Sequence, residues 1–142
     1  MAVPPGPAAV STKVEHAIFD FVDAYDRAYE TAAGEHGLSV AQACVLGRLT
    51  ARRGMGELAT ELGCDASNIT QIITRLEARD LVERQPNPVD GRSRQIVRTE
   101  QGETVYAAFE RSFEFARSAT AKLSPAEQEQ LSELLRRAVS KD

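Results

Sequence analysis

Apolar residues recur along most of this chain at helical spacing, with one short interval of alternation. From Thr12 onward, Val14, Ile18, Phe21, Val22, Tyr25, Ala28 and Tyr29 fall at steps of three and four. That spacing puts them on one stripe of an amphipathic helix of about four turns. Thr12 and Glu15 stand at capping-box spacing ahead of it, and Gly34 or Gly37 supplies the stop. A second helix is predicted over about 39–52 with Ser39 as N-cap; its apolar positions Val40, Ala43, Cys44, Leu46 and Leu49 wrap more than one face. The stretch "GELATELG" reads as a short helix that turns Leu58, Ala59 and Leu62 inward and closes at Gly63.

The next helix is predicted over 66–79, with Asp65 as its N-cap. Ile69, Ile72, Ile73 and Leu76 share one face of it. The opposite face holds Ser67, Asn68, Gln71, Thr74 and Arg75, with Thr70 at its margin. A merely solvated face usually carries Glu and Lys in i,i+4 pairs. This one carries short or planar hydrogen-bonding groups and a single charge. "LVERQP" and "RQIVRT" then alternate like short strands, and Pro86, Pro88 and Asp90-Gly91 between them mark a hairpin with a turn at its tip. Thr99 can cap a helix over about 100–121 that carries Val105, Phe109, Phe113 and Ala116. "SPAE" opens the last helix with a cap, a proline at the first helical position and a capping-box glutamate; Leu131, Leu134, Leu135, Ala138 and Val139 lie along it.

Composition narrows the class. The chain has 142 residues, 42% hydrophobic and 27% charged, which suits one globular domain or one subunit of an oligomer. No apolar run approaches the roughly 18–20 residues of a membrane span, so no membrane partner is expected. The start, "MAVPPGPAAV", lacks the basic and apolar regions of a secretory signal and reads as a disordered lead-in over 1–10; a cytoplasmic location follows by default. Cys44 and Cys64 form no CxxC pair and have no histidine cluster beside them, so neither a disulfide framework nor a metal site is expected, and no cofactor. His16 and His36 have no nucleophile-and-base pattern around them, and no glycine-rich phosphate loop appears. The expectation is that the protein is not an enzyme.

Charge is unevenly spread. Between Arg48 and Arg98 stand nine Arg and seven Asp or Glu, net +2, while the rest has eight Lys or Arg and fourteen acidic residues, net −6. From Arg84 to Arg98, the four arginines Arg84, Arg92, Arg94 and Arg98 oppose only Asp90. An acidic body thus carries a basic segment, and local concentration governs nucleic-acid binding more than the total does.

The short helix, the "GCD" turn and the helix after it have the order of a helix-turn-helix, and the hairpin makes it winged. The expected fold is mostly α, with a small antiparallel wing of two or three strands. A recognition helix must offer hydrogen bonders to base edges in the major groove. Asn68 and Gln71 suit adenine, Arg75 suits guanine or a phosphate, and Ser67, Thr70 and Thr74 suit either bases or phosphates. An exposed wing beside such a helix reaches the minor groove, whose negative potential favours arginine. Arg92 is the candidate for insertion and Arg94 for the phosphate backbone, while Arg98 lies far down the strand. Asp90, a carboxylate that DNA would repel, fits if it fixes the turn with Gly91 or holds an arginine in place.

These residues resemble the multiple-antibiotic-resistance regulator (MarR) family of bacterial transcription factors. "ELATELGCDASNITQIITRLEARDLVER" is similar to that family's helix-turn-helix. "DGRSRQIVRTEQG" resembles its wing, with the Asp-x-Arg tip and the following Thr-x-x-Gly. The resemblance covers about residues 11–141. Asp80 stands where a glycine is usual, a position Asp tolerates better than most residues, and Ala66 stands where proline is common. The resemblance implies a homodimer with interlocked terminal helices, and the surplus of apolar stripe on the first and last helices points the same way. The expected division is a dimerisation helix over 11–38, the winged helix-turn-helix over 39–99 and dimerisation helices over 100–142. It also implies a repressor on a pseudo-palindromic duplex, released by a small aromatic or phenolic effector bound between the dimerisation helices and the DNA-binding part. Tyr25, Tyr29, His16, His36 and Cys44 are the nominated pocket residues. Two other readings stay open: a thiol-based redox regulator, and a winged-helix module that binds protein rather than DNA.

Overall fold

A computed structural model describes residues 12–141; the lead-in expected over 1–10 lies outside the described residues. The elements run α1 (Lys13–Glu35), α2 (Val40–Arg48), β1 (Arg53–Gly54), α3 (Met55–Leu62), α4 (Ala66–Ala78), β2 (Val82–Pro86), β3 (Arg94–Arg98), α5 (Glu100–Ser112), α6 (Phe115–Thr120) and α7 (Pro125–Val139). The fold is mostly helical with a three-stranded antiparallel sheet in the order β1-β3-β2. The chain divides into two compact units, one spanning 26–113 and the other made of the residues up to Tyr25 and from Glu114 on. No helix among the described residues is long and apolar enough to cross a membrane.

The unit 26–113 holds all the buried hydrophobic residues of the described chain. Leu46, Leu58, Ile69, Ile73, Leu76, Leu81 and Ile96 are its largest side chains wholly out of solvent. The inward faces of α3 and α4 are the ones the periodicity indicates. The unit is wider than the 39–99 segment, because Ala32 and Ala33 of α1 and Phe109 of α5 join the same core. Side-chain caps set the helix starts. Ser39 and Gln42 form a capping box on α2, the Asp65 carboxylate accepts from Asn68 N at 2.9 Å, and Thr99 Oγ1 accepts from Gly102 N at 3.0 Å. Gly63, in the left-handed region at φ 63°, makes the turn between α3 and α4. Asp80 turns the chain from α4 into the wing, also left-handed at φ 58°.

Thr99 does more than cap α5. Its hydroxyl donates to Asp80 O at 2.6 Å and its N–H donates to Leu81 O at 3.1 Å. This pulls the start of α5 so close to the end of α4 that a Cβ on Gly102 would lie 1.9 Å from Leu81 O. Only glycine fits there, which gives the Thr-x-x-Gly spacing its physical cause.

In two places the elements differ from those expected. The second helix ends at Arg48 rather than near Arg52, since Leu49 turns out of it and Arg53–Gly54 pair with β3 as an edge strand. The helix expected over 100–121 is two helices. Ser112 Oγ donates to Phe109 O at 2.9 Å, and Phe113 takes a non-helical ψ of 85°. A hydroxyl bonded back to its own turn competes with the helix ladder. Phe113 then packs on Tyr29 and Phe109, with ring centroids 5.1 Å and 5.9 Å away. The turn expected at the hairpin's tip is present: within the Asn87–Ser93 loop, Ser93 N donates to Asp90 O at 3.2 Å across Gly91 and Arg92, and Gly91 does not need a positive φ.

The second unit, described by itself, joins the first turns of α1 to α6 and α7. Phe115 packs on Phe21 and Tyr25 at 5.3 Å and 5.8 Å, and Gln128 Nε2 donates to Thr120 O and Leu123 O. Capping boxes at Thr12–Glu15 and Ser124–Glu127 start its two long helices, holding both glutamate carboxyls below their ordinary pKa through backbone N–H bonds to Thr12 and Ser124. None of its described residues is a buried hydrophobic.

Candidate nucleic-acid interface

Burying Ile69, Ile73 and Leu76 fixes which side of α4 faces water. Ser67, Asn68, Thr70, Gln71, Thr74 and Arg75 are all exposed on it. Their freedom to bind differs. Among the described residues the side chains of Asn68, Gln71 and Arg75 have no hydrogen-bond or ion-pair partner, so their donors and acceptors are open. Ser67 Oγ donates to Asp65 Oδ1 at 2.8 Å, and Thr70 Oγ1 donates to Ala66 O at 2.9 Å. Thr74 Oγ1 donates to Thr70 O at 2.8 Å and accepts from Arg84 Nη2 at 3.2 Å. A hydroxyl has one proton to give. The three hydroxyls therefore face outward as acceptors only. The Asp65 carboxyl is held below its ordinary range, first by the Asn68 N–H and then by the Ser67 hydroxyl.

Side chains and backbone lock the wing loop together. Asn87 Oδ1 accepts from Val89 N at 2.9 Å, Asp90 Oδ1 accepts from Arg92 N at 3.1 Å, and Ser93 N donates to Asp90 O at 3.2 Å. Asn87 N donates to Ser93 O at 3.0 Å, closing the loop at its base. Asp90 thus shapes the turn through the backbone of Arg92, and the Arg92 side chain is left exposed with Arg94. An open groove of about 410 Å³ runs between the start of α3 and this loop, lined by Met55, Gly56, Asn87, Ser93 and Arg94 among others.

The hairpin sorts its arginines by depth. Arg98 keeps only 8% of its side chain in solvent; its Nε lies 3.0 Å from Glu103 Oε1, its guanidinium sits 4.8 Å over the Tyr106 ring, and Nη1 donates to Leu46 O at 3.3 Å. It anchors the wing to α2 and α5. Arg84 pairs with Glu77 of α4 at 2.9 Å. In the sequence Arg84 is visible only as charge, because its partners on α4 lie seven and ten residues away, outside any local pattern.

Of the nominated pocket residues, Tyr29, His36 and Cys44 lie in the 26–113 unit. Tyr29 and Cys44 meet, the thiol donating to the Tyr29 oxygen at 3.5 Å, beside Phe109 and Phe113. His36 Nε2 lies 3.0 Å from Ser112 Oγ, and because that hydroxyl gives its proton to Phe109 O, His36 is the donor. Tyr25 and His16 belong to the other unit, Tyr25 against Phe115 and His16 exposed. Tyr106 completes the aromatic group in 26–113; burial, then the charge of Glu110, pushes its phenol above the ordinary value. Cys64 donates to Leu62 O at 3.6 Å.

Residues 36–93 match the sequence model of the MarR family. No curated protein sequence matches the chain. Among solved structures it is similar to a probable transcriptional regulator from Pseudomonas aeruginosa, at 28% identity over 89% of this chain and 97% of that one, with a TM-score of 0.68. A serine-for-cysteine variant of MarR from E. coli, complexed with operator DNA, matches at 24% identity over 89% of this chain and 94% of the other, TM-score 0.72. BpsR from Bordetella bronchiseptica, whose DNA binding is regulated by 6-hydroxynicotinic acid, matches at 24% over 96% and 100%, TM-score 0.73.

Proposed function

We propose that this chain, a winged-helix protein of the MarR family, is a DNA-binding transcriptional regulator that acts as a homodimeric repressor. The observation that carries the reading is the outer face of α4, where Asn68, Gln71 and Arg75 stand unpartnered beside a wing that leaves Arg92 and Arg94 exposed. Gln71 and Asn68 read base edges in the major groove, Arg75 a guanine or a phosphate, and Ser67, Thr70 and Thr74 frame them. Arg92 enters the adjacent minor groove and Arg94 holds the backbone, with Asp90 and Gly91 shaping the tip. Residues 39–99 form the DNA-binding part. The segments 11–38 and 100–142 join two copies, so the operator is pseudo-palindromic with half-sites about one helical turn apart.

Selection of bound duplexes from a random-sequence pool tests this. The expected product is a palindromic motif bound with strong salt dependence, and the Arg92→Ala, Arg94→Ala double variant should lose most of that binding. Unchanged binding by the double variant would sink the wing assignment. Failure of the wild-type protein to enrich any duplex would sink DNA binding itself and favour a protein partner.

A small aromatic effector regulates the complex. Support comes from BpsR, and from the group formed by Tyr29, Phe109, Phe113 and Tyr106, which sets the Tyr29 hydroxyl and the Cys44 thiol among rings. Tyr25, His16 and His36 remain part of the nominated set. Release of the selected duplex by hydroxylated aromatic acids, 6-hydroxynicotinic acid included, is the measurement; a Tyr29→Phe, Cys44→Ala variant should need more of the acid for the same release.

A further inference from the structure

One rung of the wing sheet reaches both helices of the helix-turn-helix. Ile96, wholly buried at the centre of β3, pairs with Arg53 on one side and Arg84 on the other. Directly paired residues share a face of the sheet. Both arginines therefore point the way Ile96 does, toward the helices. Arg53 Nε lies 3.2 Å from Glu61 Oε1 of α3, and Arg84 Nε lies 2.9 Å from Glu77 Oε1 of α4. Arg84 holds a second partner, donating through Nη2 to Thr74 Oγ1 at 3.2 Å. Glu77 is the only carboxylate on α4.

Next to DNA a carboxylate is repelled, so a helix selected only for DNA contact would avoid one. The geometry points to a different use: Arg84, held by Glu77 and Thr74, is the positioning residue that sets the wing against the recognition helix. Thr74 belongs to this brace, its proton on Thr70 O and its acceptor on Arg84, and not to the base-reading set. The brace matters because major-groove and minor-groove contacts must be made together. A wing free to tilt against α4 would still bind phosphate charge but would lose register between the two grooves. This inference rests on the DNA-binding reading for its consequence, though not for the brace itself.

The alternative role for Arg84 is a direct phosphate contact, and the salt dependence of binding separates the two. On the duplex selected by the wild-type protein, Arg84→Gln and Glu77→Gln should each lower the preference over random-sequence duplex by about three- to tenfold. The slope of log affinity against log salt should stay at the wild-type value in Arg84→Gln. The Glu77→Gln, Arg84→Gln double variant should be no worse than either single, as expected for partners in one interaction. Arg84→Lys keeps the charge but cannot hold both partners in fork geometry, so it should fall between the two. A slope reduced by about 0.9, the loss of one phosphate contact, together with tighter binding by Glu77→Gln, would overturn the brace. In the free protein, amide exchange across β2 and β3 should quicken in both single variants, and unchanged exchange would overturn it as well. If the wild-type protein selects no duplex, the DNA-binding reading falls and the exchange measurement alone decides the brace.

Discussion

Residues 26–113 turn Leu46, Leu58, Ile69, Ile73, Leu76 and Ile96 wholly away from water. Outside that unit, Phe21 is 50% exposed, Leu134 57% and Val139 81%, with Val14, Ile18 and Leu135 also open. Both regions start helices with side-chain caps, at Ser39, Asp65 and Thr99 in the first and at Ser124 in the second. What separates them is where their apolar faces go. In the first, helices and sheet close on one core; in the second, stripes made by the same periodicity leave these residues open to solvent. Burial at about 25 cal/mol per Å² makes such stripes worth covering. The contrast places fold stability in the 26–113 core and the proposed self-association on the exposed stripes outside it, so each should be removable without the other.

The largest effect is expected in the core. Leu76→Ala should cost about 2–5 kcal/mol in urea unfolding, through lost transfer energy and a cavity under α4. Next come Leu134→Ser and Leu135→Ser together, expected to weaken self-association by about a hundredfold in sedimentation. That pair should leave the 26–113 core protected in hydrogen exchange. A core that melts with the dimer would break the comparison.

A smaller effect falls on the wing. Arg92→Ala should lower affinity for the selected duplex about tenfold and reduce the salt slope by about 0.9, with unfolding within about 0.5 kcal/mol of wild type. Smallest is an acid effect at the start of α4. The Asp65 carboxyl titrates lower in the folded chain than unfolded, so its stabilisation is complete above the ordinary carboxylate value near pH 4 and fades as pH falls through the folded value. The gap in melting temperature between wild type and Asp65→Ala should therefore be wider at pH 5 than at pH 2.5; an equal gap would mean the charge is not its source.

Much of the fold is written locally. Caps at Ser39, Asp65, Thr99 and Ser124, the inward faces of α3 and α4, and the left-handed Asp80 each depend on residues within about four positions. The outer face of α4 is equally legible, since burying one side of a helix exposes the other. Strand β1 is not, because two residues carry no periodicity and exist as a strand only by pairing with β3. The break at Phe113 was also hidden, with neither glycine nor proline to mark it.

The arginines of the hairpin show most clearly where local pattern ends. As residue types, Arg84, Arg92, Arg94 and Arg98 are alike, and the sequence by itself determines that a basic hairpin follows a polar-faced helix. It also singles out Arg98 by distance along the strand. Tertiary structure decides the rest: Arg92 and Arg94 stay in water, Arg84 is spent on Glu77 and Thr74, and Arg98 reaches a carbonyl 52 residues back while lying over Tyr106. A long flexible side chain takes its role from whichever carboxylate, ring or carbonyl the fold brings within reach. Those partners are set by how distant elements pack.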